Sequence, residues 1–296
     1  MLSDPITEQL LTAGLDPAGI EQIVQTALDE DLRYGPDVTS AATAPAGATA
    51  VAAVVARRPG VVAGLPVALA VLDRAGLSPG TAVPARSDGD RVGPGTEVLR
   101  IQAPLRELLT AERTLLNFLT HLSGVATATR AWADALDGTR CVVRDTRKTL
   151  PGLRALEKYA VRCGGGQNHR MGLGDAALIK DNHVVAAGSI TKAIEAVRAA
   201  APGLPLEVEC DTLDQVADAL DAGAQLILLD NMDLPELRAA VAMAGGHPGV
   251  KLEASGGLHL AGARAVAATG VDYVAVGGLT HSAPALDLGL DMSPLR

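Results

Sequence analysis

The sequence predicts a mixed α/β protein whose larger part is built from parallel strands. Three observations lead to this prediction. After residue 136, short apolar runs alternate with helix-like segments, which is typical of a barrel or a doubly wound sheet. A polar residue or a glycine pair follows each apolar run. No GxGxxG motif follows the first run, and this disfavours a dinucleotide-binding fold.

Composition narrows the class of protein. The chain has 296 residues, of which 48% are hydrophobic and 20% charged, so a disordered chain is excluded. A net charge of -9 argues against nonspecific binding to nucleic acid or anionic membranes. The amino terminus, with Asp4 and Glu8, lacks the features of a signal peptide, and the three cysteines have no CxxC spacing. We therefore expect a cytoplasmic protein without disulfides or a zinc site.

The first 122 residues predict helices before and after a small sheet-containing stretch of the chain. Apolar residues recur at helical spacing in residues 5–32, with an interruption at 14–17, so two short helices are expected. Residues 48–103 combine Val/Ala-rich runs with Gly, Pro and Asp turns and predict a small sheet-containing domain. A leucine stripe then predicts a long helix from Leu105 to about Leu122.

The rest of the chain predicts alternating strands and helices. The expected strands are Cys141–Arg144, Ala176–Ile179, Leu206–Glu209, Leu226–Leu229, Val250–Leu252 and Val271–Val276. The expected helices are Ile190–Ala200, Leu213–Ala222, Leu234–Ala244 and Leu260–Ala268. In an α/β barrel the carboxyl ends of all strands open onto one face, where such proteins place their sites. The residues that follow the strands are therefore candidate site residues.

Cations are concentrated in one part of this acidic chain. Residues 144–180 contain eight Lys or Arg side chains and three acids. A solvated helix face would account for Arg154, Lys158 and Arg162, but the remaining cations fall in loops and at a strand end. Guanidinium groups bind carboxylates and phosphates through paired hydrogen bonds, and ammonium groups add charge. The cluster therefore predicts a site for a small polyanion.

These residues also carry a family resemblance. The runs DTRKTLPGLR from Asp145, KYAVRCGGGQNHR from Lys158 and LIKDNH from Leu178 resemble the signature of the quinolinate phosphoribosyltransferase family. Four further parts of the chain are similar to family segments, and the resemblance covers essentially the whole chain; these parts are residues 30–32 with 37–39, 111–117, 253–257 and 279–282.

The resemblance implies a fold, a reaction and an assembly. It implies an amino-terminal α/β sandwich-like domain, residues 1–118 with the tail 285–296 packed on it, and an incomplete, six- to seven-stranded α/β barrel, residues 119–284. The implied reaction joins quinolinate to phosphoribosyl pyrophosphate with Mg²⁺, giving nicotinate mononucleotide, pyrophosphate and carbon dioxide for NAD biosynthesis. The implied assembly is a homodimer with shared active sites, or a hexamer built from such dimers.

The resemblance also assigns residues to roles. Arg113 would reach across the dimer to a substrate carboxylate, and Lys148 would lie near the pyrophosphate. The carboxylates of Glu209 and Asp230 would hold the ribose hydroxyls, directly or through metal-bound water. The quinolinate site would be lined by Thr146, Arg147, His169, Arg170 and Lys180, and the 5-phosphate would be cradled by Ser255, Gly256, Gly257, Gly277 and Gly278.

Three alternatives remain open from the sequence. A relative could use the same phosphoribosyl chemistry on another aromatic acid, as the pyrophosphorylase-like proteins associated with molybdate uptake do. A Schiff-base aldolase would use Lys180 as its nucleophile, because neighbouring cations lower a lysine pKa. A non-catalytic barrel protein would keep the fold without binding quinolinate. For the phosphoribosyl reaction, Lys148 and Lys180 would act by positioning and charge complementarity rather than as nucleophiles.

Overall fold

The computed structural model describes residues 1–293, and the last three positions of the predicted tail 285–296 lie outside this range. The chain folds into two compact units. The first comprises Met1–Arg130 and Leu150–Gly165 together with the segment from Ser282 onward, and the second comprises Ala131–Thr149 and Gly166–His281. The predicted domain boundary after residue 118 falls inside one continuous helix, Leu105–Ala135.

The first unit combines helices with a small antiparallel sheet. Elements are numbered in chain order over both units. Its helices are α1 Asp4–Thr12, α2 Pro17–Leu32, α3 Val38–Thr43, α4 Leu65–Arg74, α5 Leu105–Ala135, which runs on into the second unit, and α6 Arg154–Cys163. Its strands are β1 Thr49–Ala56, β2 Gly60–Val61, β3 Ala82–Pro84, β4 Arg91–Val92, β5 Glu97–Pro104 and β12 Leu288–Met292.

Strand alternation explains how the sheet of the first unit is buried. Four strands pair in the order β12-β1-β5-β3, and β2 pairs with β4 separately. Along β1, every second residue is buried, including Ala52, Val54 and Ala56. This spacing places one face of the strand against the core. The carboxyl-terminal strand β12 pairs antiparallel with β1.

The first two helices lie where the sequence predicts them, and capping residues mark the start of α2. Asp16 accepts hydrogen bonds from the backbone N–H groups of Ala18 and Gly19, and Pro17 occupies the first turn of α2. Both features are typical of a helix start. Ile20, Val24 and Leu28 recur every four residues and are buried. The two predicted amino-terminal helices are therefore present, with the break where the sequence places it.

Helix α5 extends 13 residues beyond the predicted end near Leu122. Its leucine stripe gives way to smaller residues, but the helical spacing of buried positions continues through Val125, Ala126 and Thr129. Gly124 lies so close to the backbone of Ala285 that an added Cβ would be 2.9 Å from its Cα. The second half of this helix packs through small residues rather than through leucines, so a hydrophobicity pattern does not detect it.

The second unit is built on a six-stranded parallel sheet. Its strands are β6 Val142–Arg144, β7 Ala177–Ile179, β8 Leu206–Cys210, β9 Leu226–Asp230, β10 Lys251–Ser255 and β11 Tyr273–Ala275. They pair in the order β6-β11-β10-β9-β8-β7, and each neighbouring pair is parallel. The helices are α7 Asp181–Ala187, α8 Ile190–Ala200, α9 Leu213–Asp221, α10 Leu234–Ala244, α11 Ala263–Ala267 and α12 Gly278–His281. The predicted strand–helix alternation is confirmed.

The sheet forms an open barrel rather than a closed one. Among the described residues, β6 and β7 are its edge strands. Beside β6, Gln167 makes one parallel bridge to Arg144, and its backbone N–H donates to the carbonyl of Val143 at 2.9 Å. A single bridging residue thus stands where a seventh strand would run.

Within residues 1–293, no helix is both long enough and apolar enough to cross a bilayer.

Candidate active site

A cavity of about 360 Å³ opens where the parallel strands of the second unit end. Most of the residues around it follow a strand directly or lie in its last positions, because parallel strands present their carboxyl ends at one edge. The lining residues are Thr146, Arg147, Lys148, His169, Arg170, Leu178, Lys180, Glu209, Leu228, Asp230, Glu253, Ser255 and Ala275. Four of them are lysines or arginines, so one cavity collects cations from three separate stretches of the chain.

The cations of this cavity have few partners within the protein. The Nζ of Lys180 lies 2.5 Å from Oε2 of Glu209. Arg170 donates one hydrogen bond, 3.1 Å long, to the carbonyl of Ala176, and its pKa is lowered by burial and then by the charge of Arg147. The Nε of Arg147 is buried without a hydrogen-bond acceptor. Guanidinium groups in this state favour an anionic ligand, which would supply the missing acceptors.

Beneath these cations lies a buried network of Arg144, His169, Glu207 and Glu253. The Nε2 of His169 is 2.6 Å from Oε2 of Glu207, and its Nδ1 accepts a hydrogen bond from the backbone N–H of Arg170 at 2.7 Å. Both ring nitrogens are thus engaged inside the protein. The ring is thus held between a carboxylate and a backbone N–H, and it forms part of the cavity wall.

Glu253 carries the most perturbed carboxyl of the site. Its Oε2 lies 2.6 Å from an Nη1 of Arg144, whose guanidinium also stands over the ring of Tyr273 at 4.7 Å. Burial and, next, the charge of Glu207 raise the pKa of Glu253 to about 7, although Arg144 and His169 act in the opposite direction. The second buried carboxylate, Glu207, thus adds repulsion to the cost of burying the charged form of Glu253.

Two groups of side chains could hold a cation. Ligand atoms of His169, Glu207 and Glu253 lie within 4.8 Å of one another. In that group, however, His169 and Arg144 already occupy one oxygen of each carboxylate. Glu209 and Asp230 line the cavity mouth instead and offer the hard oxygen donors that Mg²⁺ prefers. These two carboxylates also have one oxygen each engaged, by Lys180 and Asn231, but unlike Glu207 and Glu253 they are partly exposed, so Mg²⁺ bound there could keep its water ligands.

Glycine pairs follow two of the strands whose ends line the cavity, β10 and β11. Gly256 and Gly257 follow β10 with positive φ values of 88° and 58°, a conformation that glycine adopts without strain. After β11, a Cβ at Gly277 would lie 3.0 Å from Cδ of Lys148, so this glycine lets the lysine stem pass close to the backbone. Thr280 donates a 2.7 Å hydrogen bond to the carbonyl of Lys148.

The chain matches one protein family along most of its length. Family models described as the N-terminal and C-terminal domains of quinolinate phosphoribosyl transferase match residues 37–123 and 125–291. The chain belongs to the quinolinate phosphoribosyltransferase family. It is 56% identical to the nicotinate-nucleotide pyrophosphorylase [carboxylating] of Mycobacterium leprae over 271 residues, which is 91% of this chain and 95% of that protein. This assignment sets aside the aldolase and non-catalytic alternatives.

More distant family members agree with this assignment. The quinolinate phosphoribosyltransferase [decarboxylating] 1 of Nicotiana glauca is 38% identical over 92% of this chain and 81% of its own. The solved structure of NadC from Streptococcus pyogenes matches with a TM-score of 0.87 and 40% identity, covering 95% of this chain and 98% of that one. The predicted fold of a small amino-terminal α/β part and an incomplete α/β barrel is thereby confirmed.

The structure brings most residues of the predicted site together. Nine line the one cavity, namely Thr146, Arg147, Lys148, His169, Arg170, Lys180, Glu209, Asp230 and Ser255. Gly256 and Gly257 follow β10 directly, and Gly277 and Gly278 lie just beyond β11 at the start of α12. Arg113 lies elsewhere, exposed on α5 in the first unit.

Sequence reasoning missed the buried layer and misjudged one lysine. Glu207 precedes Glu209 by two residues and Glu253 precedes Ser255 by two, so each pair points to the same side of its strand. That spacing was the available signal for a second polar layer. Lys158, for which a solvated helix face was one explanation, is fully buried on α6 in the first unit. Its burial removes it from any exposed basic face.

Proposed function

We propose that the cavity of the second unit is where this protein joins quinolinate to phosphoribosyl pyrophosphate. The products are nicotinate mononucleotide, pyrophosphate and carbon dioxide, and the reaction serves NAD biosynthesis. One observation supports the location above all: Arg147, Lys148, Arg170 and Lys180 surround a single cavity in a protein whose net charge is -9. Both substrates are polyanions, and such a cavity offers them complementary charge.

Quinolinate binds at the arginine side of this cavity. Arg147 and Arg170 bind its two carboxylates. Lys180 keeps one of them, the carboxylate that later leaves as carbon dioxide, in the ionised form. Thr146 supplies a hydroxyl, while the ring of His169 forms a wall. Lys148 lies near the leaving pyrophosphate. The support for this arrangement is that the buried Nε of Arg147 has no acceptor within the protein.

Phosphoribosyl pyrophosphate binds along the other rim. Glu209 and Asp230 hold the ribose hydroxyls, directly or through water on Mg²⁺, and backbone N–H groups of the glycine turns bind the 5-phosphate. Mg²⁺ would neutralise charge on the pyrophosphate as it leaves. The glycine turns belong to Ser255, Gly256, Gly257, Gly277 and Gly278.

Catalysis rests on positioning and charge. As the bond from ribosyl C1 to pyrophosphate breaks, C1 gains oxocarbenium character, and the pyridine nitrogen attacks it from the opposite face. The ring nitrogen becomes cationic, so the adjacent carboxylate departs as carbon dioxide while its bonding electrons stay on the ring carbon that carried it. That carbon then takes a proton from water, which gives nicotinate mononucleotide. No side chain has to act as a nucleophile. The lysines keep the reacting groups ionised and aligned.

A coupled assay tests this function. Purified protein with quinolinate, phosphoribosyl pyrophosphate and Mg²⁺ should form nicotinate mononucleotide, whereas nicotinate in place of quinolinate should react far more slowly because it lacks the second carboxylate. Equal rates with nicotinate would favour a relative that uses another aromatic acid. No product with either acid would refute the proposed function.

Assembly and location belong to the same proposal. The protein acts as a homodimer, alone or within a hexamer, in which the exposed Arg113 of one subunit completes the quinolinate site of the other. It works in the cytoplasm, where its three cysteines, all free thiols, remain reduced. Sedimentation analysis and cell fractionation test these two statements separately.

A further inference from the structure

Asn231 follows the end of β9 in an unusual backbone conformation. Its φ is +56°, and no other non-glycine residue among residues 1–293 has a positive φ. Asparagine tolerates this left-handed region better than most residues, so the conformation alone says little about function. It does turn the chain sharply at the residue after Asp230, on the rim of the cavity.

The side chain and backbone of Asn231 connect two strand ends. Its Nδ2 donates a 2.7 Å hydrogen bond to Oδ2 of Asp230. Its backbone N–H donates a 2.9 Å hydrogen bond to the carbonyl of Ser255. One residue therefore restrains the Asp230 carboxylate at the end of β9 and, at the same time, the end of β10.

Asn231 also shapes the glycine turn after β10. Gly256 has a φ of +88°, and a Cβ added there would lie 2.6 Å from Cγ of Asn231 and 2.8 Å from its backbone nitrogen. The Asn231 amide fills the place where a side chain at position 256 would go. The turn and the asparagine thus fit each other closely, and the backbone of Gly256 cannot shift toward Asn231 without overlap.

We propose that Asn231 is a positioning residue for phosphoribosyl pyrophosphate. Its amide fixes the rotation of the Asp230 carboxylate, which leaves the second carboxylate oxygen for the ribose hydroxyls, and its side chain supports the Gly256 turn that receives the 5-phosphate. This inference rests on the proposed function, because it assigns Asp230 and Gly256 to that substrate. Asn231 itself is exposed and need not touch the reacting atoms.

Replacement of Asn231 by glycine separates the side chain from the backbone. Asn231→Gly keeps the left-handed conformation without strain but removes the amide. We expect normal folding, with a KM for phosphoribosyl pyrophosphate raised about tenfold, the effect of losing one hydrogen bond to a charged group. The dissociation constant for quinolinate, measured by calorimetry on the same preparation, should not change. A wild-type KM for phosphoribosyl pyrophosphate in this variant would overturn the inference.

Two further variants serve as controls. Asn231→Ala also lacks the amide but keeps a Cβ at a positive φ, so it should show the same KM change with a lower melting temperature than Asn231→Gly. Asn231→Asp keeps the size of the side chain but sets a second carboxylate beside Asp230, and it should raise the KM further. If KM instead follows melting temperature across the three variants, Asn231 has only a structural role. Wild-type protein that fails to form nicotinate mononucleotide would refute the proposed function instead.

Discussion

At the scale of single residues, the site depends on which charged groups find partners inside the protein. Lys180 pairs with Glu209 at the cavity mouth, whereas the buried Nε of Arg147 has no acceptor. One layer lower, Glu207 and Glu253 engage His169 and Arg144. The upper layer is thus suited to bind anions, and the lower layer holds the wall of the cavity in place.

Removal of the Lys180 ammonium should affect turnover strongly. We expect Lys180→Ala to lower kcat/KM roughly 10²–10³-fold, the effect of losing a preorganised charge in an active site. Lys251→Ala is a matched control. Lys251 is also a half-exposed lysine, and its ammonium lies 2.8 Å from the carboxylate of Asp272. It stands at the start of β10, whereas the cavity lies at the end of that strand. Equal rates for Lys180→Ala and the control in the coupled assay would contradict the role given to Lys180.

The buried carboxyl of Glu253 predicts a pH dependence of stability. Its pKa is about 7 in the folded protein and 4.5 ordinarily. Because the folded state holds this proton more tightly, the stabilisation is complete below the ordinary pKa and is lost as pH rises through about 7. From about pH 5 to about pH 8, the free energy of unfolding should fall by about 1–3 kcal/mol relative to Glu253→Gln.

Urea denaturation of both proteins at each pH measures this difference. Glu195→Gln, which changes an exposed carboxyl on α8, is the control and should track wild type at both pH values. A constant difference between wild type and Glu253→Gln would show that Glu253 titrates alike in the folded and unfolded chains.

At the scale of elements, helix α6 approaches α5 closely at its carboxyl end. A Cβ at Gly164 would lie 2.5 Å from the carbonyl oxygen of Ala126 and the same distance from Cβ of Thr129. We expect Gly164→Ala to reduce the free energy of unfolding by about 1–3 kcal/mol through overpacking. Gly93→Ala, at a glycine with open space around it, should change it by less than about 0.5 kcal/mol. Thermal denaturation of the two variants compares them, and equal melting temperatures would exclude a tight contact.

Element periodicity also sets the limit of what the sequence predicts. Helices α8 and α10 begin and end where the pattern places them, because apolar spacing marks their extent and a capping side chain, Ser189 or Asp233, marks each start. The second half of α5 and the burial of Lys158 were missed. Both depend on small-residue packing and on tertiary surroundings, which apolar spacing does not record. At the site, the polar residues at the strand ends predicted the rim of the cavity. The role proposed for Asn231 depends on contacts that only the three-dimensional structure shows.

At the scale of the whole molecule, the proposed shared site predicts complementation between inactive subunits. Arg113→Ala and Lys180→Ala should each be nearly inactive alone. When equal amounts are mixed under conditions that exchange subunits, half of the dimers are hybrids with one intact site, so about a quarter of wild-type activity should return. Mixed samples without any gain in the coupled assay, despite exchange shown by mass spectrometry, would contradict a site completed by Arg113 of a second subunit.

This acidic protein gathers cations from separate stretches of its chain at one strand-end cavity, where we propose that they hold two polyanions. A crystal structure with quinolinate and a non-reactive analogue of phosphoribosyl pyrophosphate measures this directly. We expect quinolinate carboxylates within hydrogen-bond distance of Arg147 and Arg170, and the 5-phosphate at the turn after Ser255. Both ligands bound elsewhere, with these cations facing solvent, would contradict it.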